Sequence, residues 1–164
     1  MLFRSMPNVS IREKDEWGFY GHSTINHDYN LKAVSGDVVV VDNATGLMWH
    51  QSGSDDEMLW DKAEEWLSSE PEDHVKSLNR EEGYAGYHDW RLPTVDEAVS
   101  LLESSEKNGD LYIDPVFSKK QPWIWTGDRA GSQTAWFVRF INGFVGWFYV
   151  YNYSSYVRPV RSVE

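Results

Sequence analysis

There is no cysteine among the 164 residues of this chain. That excludes disulfide staples, thiolate nucleophiles and Cys-ligated zinc, and it suits a reducing compartment. No run of 18 apolar residues occurs, so nothing reads as a membrane-spanning helix. The first residues, Met1-Leu2-Phe3-Arg4-Ser5-Met6-Pro7, lack the apolar stretch of a secretory signal. A cytoplasmic location is the expectation. Cations are scarce: 15 Lys and Arg against 26 Asp and Glu give a formal charge of −11. A surface of that sign repels phosphate backbones and anionic lipid, so neither nucleic acid nor a membrane is an expected partner.

Aromatic residues are abundant, at 15%, with nine Trp and nine Tyr. At this length, that density points to one rigid domain with a sizeable core and aromatic surface to spare. The most constrained stretch is His88-Asp89-Trp90-Arg91-Leu92-Pro93-Thr94. Pro93 ends whatever precedes it, and Thr94 stands three residues before Glu97, the spacing of a capping box. One large aromatic, one arginine and one helix start are thus fixed together, as a scaffold anchor.

Along the chain, Ser10 is expected to cap a short helix over 11–17, and 18–36, with His22 and His27, reads as loop. Asp37-Val38-Val39-Val40-Val41-Asp42 reads as a strand covered on both faces. Asp42-Asn43-Ala44-Thr45-Gly46 is a turn, with Gly46 suited to positive φ, and Leu47-Met48-Trp49 closes a hairpin. Trp60, Ala63 and Leu67 share one helical face. Pro71 breaks that helix, and Val75 and Leu78 suggest a brief resumption. A second helix is expected over 95–104, burying Ala98, Leu101 and Leu102. Then come strands at 123–126 and 135–141, a hairpin at Asn142-Gly143, and strands at 145–151 and 156–163 completing an antiparallel meander. The fold class is α+β, two helices packed on antiparallel sheets with a β-rich C-terminal third.

These motifs fall in a familiar order: Asp42-Asn43-Ala44-Thr45-Gly46-Leu47-Met48-Trp49, Trp60 with Ala63, Asp89-Trp90-Arg91-Leu92-Pro93-Thr94 with Glu97, Trp123-Ile124-Trp125-Thr126, and Tyr156-Val157-Arg158-Pro159-Val160-Arg161. Over about 37–161 the chain resembles the bacterial family named after the C-terminal domain of the Legionella collagen-like protein. The resemblance implies a C-type-lectin-like fold of the formylglycine-generating-enzyme branch at 37–164. Residues 1–36 are then an N-terminal extension packed on or flanking it. It also implies a ligand-binding module, and it makes Trp49, Trp90, Arg91, Arg158 and Arg161 structural. Some members are variable proteins of diversity-generating retroelements, whose adenine-directed mutagenesis rewrites a C-terminal cassette. Within 141–155, Ile141, Asn142, Phe144, Gly146, Phe148, Tyr149, Tyr151, Asn152 and Tyr153 fit that alphabet. Trp147 does not, because its codon ends in two guanines.

The candidate ligand-binding residues are therefore Ile141, Asn142, Phe144, Gly146, Trp147, Phe148, Tyr149, Tyr151, Asn152 and Tyr153, with Trp125 on a neighbouring strand. Only alternate side chains of a half-buried strand face the core. Phe144, Trp147, Phe148, Tyr149, Tyr151, Tyr153 and Tyr156 are too many for one inward face. Exposed Tyr and Trp give large rigid contact area at low entropic cost, although packing on another layer or a dimer partner would also use them. Trp123 and Trp136 read as core. The five histidines have no metal-ligand spacing, and neither 55–57 nor Glu70, Glu72 and Asp73 matches a calcium-lectin tripeptide, so no metal or cofactor is expected. Formylglycine chemistry needs cysteine, which leaves a non-catalytic recognition domain for a protein or peptide ligand as the first expectation. A fixed-specificity glycan-binding or sensory module of a larger signalling or adhesion protein is the alternative.

Overall fold

A computed structural model describes residues 6–71 and 76–163. Among these the chain is mostly β, with two short helices. The strands are β1 (Val9–Asp15), β2 (Gly18–Ser23), β3 (Tyr29–Val34), β4 (Asp37–Asp42), β5 (Leu47–His50), β6 (Trp123–Gly131), β7 (Thr134–Arg139), β8 (Phe144–Tyr149) and β9 (Val160–Ser162). The helices are α1 (Trp60–Trp66) and α2 (Val95–Ser100). Two antiparallel sheets result, one ordered β1-β2-β8-β7-β6 and the other β3-β4-β5-β9. This is an α+β arrangement.

The 37–50 hairpin forms as its turn chemistry dictates. Asp42 is wholly buried beneath it. Its carboxylate accepts from the amides of Asp28 and Ala44, the Thr45 hydroxyl and a ring nitrogen of His27. Burial alone would raise this carboxyl, but those hydrogen bonds outweigh it and hold it below its ordinary value. β4 then alternates perfectly. Val40 enters a core with Trp49, α2 and Phe117, while Val39 and Val41 enter a second core with Trp60, Trp90 and Trp125. Both faces of the strand are covered.

Several expectations are corrected. The stretch 11–17 is not a helix, and 18–36 is not a loop. β1 pairs with β2, β2 pairs with β8 through Gly18↔Gly146, and β3 lies beside β4. β1 and β3 are largely exposed sheet edges, and β2 finds its other partner at the far end of the sequence, so no local pattern announces it. The second helix stops at Ser100 and not at 104, and 78–80 is a turn and not a resumed helix; Val75 lies outside the described residues. β6 runs on to Gly131 through irregular pairing after Trp125, where a loop was expected. The last strand does not complete the meander: β9 crosses to β5 in the other sheet.

The anchor segment joins the two sheets. The capping box between Thr94 and Glu97 is present in both directions, and Arg91 exchanges backbone hydrogen bonds with Val160. Trp90 is 1% exposed. Its indole N–H donates to the Tyr84 carbonyl, and its own amide and carbonyl are both engaged by the Asn79 side chain.

Candidate functional site

β8 is followed by a turn at Tyr151 and Asn152 and by an extended return over 153–159. Because side chains alternate along β8, its aromatics divide between opposite faces of the five-stranded sheet. Phe144 and Phe148 face the second core, together with Phe137 of β7. Val145, two residues before Trp147 on the other face, packs in the first core beside α2. Beyond that core, Trp147 meets Trp17 at 4.9 Å between ring centroids and Tyr149 at 6.4 Å, edge-on. The ribbon therefore carries two surfaces, not one.

The first surface lines a cleft of about 400 Å³, bounded by Trp123, Phe137, Arg139, Ile141, Phe148 and Tyr153 and edged by Glu57, Asn142, Ser154 and Ser155. Its floor is a stack of three rings. Phe137 lies on Phe148 at 4.2 Å and 14°, and Phe148 lies on Tyr153 at 4.5 Å and 17°. The Arg139 guanidinium stands over Phe137, Phe144 and Phe148, 5.2 to 5.7 Å from their centroids. Across the cleft the Trp123 indole N–H donates to Glu57 at 2.7 Å. Ser155 is buried, and its hydroxyl makes no hydrogen bond within the described chain.

Of the ribbon residues, Ile141, Tyr149, Tyr151, Asn152 and Tyr153 are exposed, while Asn142, Trp147 and Phe148 are half-buried. Asn142 is partly committed to its turn, its side-chain oxygen accepting from the Phe144 amide. Three expectations of ligand contact are corrected. Trp125 is 0% exposed, with its indole N–H given to the Met58 carbonyl; the segment before α1 covers it. Phe144 is buried under Arg139 and against Tyr20. Gly146 is buried where backbones meet: a Cβ there would lie 2.5 Å from the Phe144 ring and 2.6 Å from the Trp17 carbonyl. Trp123 and Trp136, expected in the core, are only half-buried.

The residues read as structural lie away from the cleft. Trp49 is fully buried, edge-on to Phe117. Arg91 forks onto Glu97 at 2.6 and 2.9 Å, and Arg161 binds Asp89 while lying over the Tyr87 ring. Arg158 is wholly buried without a carboxylate. It donates to the carbonyls of His50, Gln51 and Ser118 and to the Gln121 side chain. Burial pulls its guanidinium down to about 9. Beside it, burial and then the Arg158 charge hold His50 down to about 4. The ring is neutral in place, since its Nδ1 accepts from the Gly53 amide.

No group of three or more His, Asp or Glu suited to a metal ion occurs among the described residues. Nor is any described helix long and apolar enough to cross a membrane. Glu72, Asp73 and His74 lie outside the described residues. Sequence reasoning missed Arg139, Phe137 and Glu57 as cleft residues. The only local clue was their neighbourhood: Phe137 and Arg139 alternate on β7 just before the Asn142-Gly143 turn. The model of the Lcl C-terminal domain family matches residues 38–161. No curated protein and no solved structure matches the chain.

Proposed function

The chain belongs to the Lcl C-terminal domain family, and from that premise we propose that it is a non-catalytic recognition domain of C-type-lectin-like fold. Its cleft beside the 141–155 ribbon binds a protein or peptide ligand. The observation that carries this reading is the Phe137–Phe148–Tyr153 stack, which continues the core outward into an open cleft instead of ending beneath a cover. A rigid exposed ring such as Tyr153, backed by more deeply buried ones, is what a recognition surface needs, because little side-chain entropy is lost on contact. The exposure of Ile141, Tyr151, Asn152 and Tyr153 also supports a hypervariable cassette of a diversity-generating retroelement. Phe144 and Gly146 fall outside such a cassette, since neither position tolerates free substitution. A near-identical template repeat beside a reverse-transcriptase gene is the expected genomic mark.

The test is selection of binders from a displayed random peptide library, repeated on Tyr153→Ala and Phe148→Ala. The reading expects cleft-dependent binders that both substitutions abolish while the fold, followed by circular dichroism, persists. Binders indifferent to both would sink it. A second reading, a glycan-binding module, is favoured by the Trp17–Trp147 pair with Tyr149 on the opposite face, where flat rings could stack a sugar. A glycan array on the wild type and Trp147→Ala separates the two.

A further inference from the structure

Resting on the recognition role given to this cleft, we propose that Arg139 makes it selective for peptides that present a single carboxylate side chain beside an apolar residue. Among the described arginines, only Arg139 has a side chain that makes neither a hydrogen bond nor an ion pair. Arg91 and Arg161 are forked onto carboxylates, and Arg158 is spent on carbonyls. Arg12, Arg80 and Arg129 donate to the carbonyls of Asn142, Pro71 and Ser132. Arg139 has neither an acid, as Arg91 and Arg161 do, nor a carbonyl, as Arg12, Arg129 and Arg158 do, and in a chain with 26 acidic residues that is a feature to explain.

Its setting supplies the explanation. Phe137, Phe144 and Phe148 lie beneath the guanidinium, 5.2 to 5.7 Å from it. A cation held on ring faces keeps its in-plane N–H fork free, and that fork matches a carboxylate in bidentate geometry. The apolar rings also exclude water, which strengthens a charge-assisted hydrogen bond made there. Ile141, Phe148, Tyr153 and Trp123 line the same cleft and offer contact to an apolar neighbour of the acidic residue. Glu57, the other charged group of the lining, is tethered by the Trp123 indole. It repels a second anion, as does the overall charge of −11, so one carboxylate is accepted where a run of them is not.

The experiment is the same displayed library, selected in parallel on the wild type and on Arg139→Met, which keeps the aliphatic stem over the rings. Enriched sequences are resynthesised with Glu→Gln or Asp→Asn. The expected result is enrichment of one acidic residue next to an apolar one, with affinity falling about 10- to 100-fold on amidation. Arg139→Met should erase that difference while retaining the wild-type melting temperature. Should that variant fail to fold, Arg139→Lys replaces it, with an expected partial loss because an ammonium cannot form the planar fork. If binders lost in Tyr153→Ala show no acidic preference and ignore Arg139→Met, the selectivity is overturned and the recognition reading stands. If no binder depends on the cleft, both fall.

Discussion

Two regions of this molecule use the same kinds of residue to opposite ends. Around Trp90, aromatics and arginines are saturated: the indole N–H, the backbone N–H and the carbonyl of Trp90 all have partners, and Arg91 and Arg161 are matched to carboxylates. Around the ribbon, Tyr153 stacks on Phe148 and stays 45% exposed, and Arg139 lies on rings with no acid beside it. Buried polar groups must be paired or they cost stability, so the first region is rigid by necessity. The second is free to leave donors and ring faces unclaimed because solvent reaches it. The difference suggests a division of labour in which one end holds the shape and the other meets the ligand.

The largest expected blow to that contrast is Trp90→Ala. Removing a ring 1% exposed should cost about 3–5 kcal/mol in chemical denaturation; an unchanged midpoint would mean the anchor anchors nothing. Next is Asn79→Ala. The Asn79 side chain stands in for a missing strand, accepting from the Trp90 amide and donating to the carbonyls of Trp90 and Leu67. Leaving these buried groups unpaired should cost about 2–4 kcal/mol. Of similar size is a pH effect at His50, which stacks on Tyr84 at 3.9 Å within the same anchor. Its ordinary value is 6.5, and burial followed by the Arg158 charge holds it at about 4 in the folded chain. Between those values the unfolded state binds more protons, so stability is full above pH 6.5 and falls as pH drops toward 4. The integrated loss is about 3 kcal/mol. In His50→Gln that part of the pH dependence should vanish from urea midpoints measured across the window.

Comparing the two regions also shows what a sequence can disclose. The anchor was legible because its signals are local: Pro93 and the Thr94–Glu97 spacing lie within five residues, and the Asp42–Gly46 turn carries its own chemistry, with Gly46 at φ 72°. The abundance of aromatics in the ribbon was legible too, and alternation required some to be exposed. Which of them share a surface was not. That depends on Phe137 and Arg139 of a neighbouring strand, and on a return segment whose register is set by pairing between Met58 and Ser155. Trp125 was misplaced for the same reason, since its cover comes from the segment before α1. β1 and β3 were missed because they are sheet edges with little continuous apolar pattern, and β2 because its partner β8 lies far away in sequence.

Two smaller effects sharpen the contrast. Thr94→Ala removes the hydroxyl that accepts from the Glu97 amide at 3.1 Å, which should cost about 1 kcal/mol. The loss belongs to the anchor and should leave ligand affinity unchanged. The smallest expected change in stability is at the ribbon tip. Tyr151 is 67% exposed, in the turn after β8. Tyr151→Ser should therefore move the melting midpoint by less than about 0.5 kcal/mol, as for most open surface positions. Tyr153→Ser should do slightly more, because one face of its ring rests on Phe148. If the division of labour holds, ligand affinity should depend greatly on Tyr153, which lines the cleft, and not at all on Thr94. A Tyr151→Ser variant that unfolds would instead show the tip to be part of the scaffold, and the two regions would no longer be different in kind.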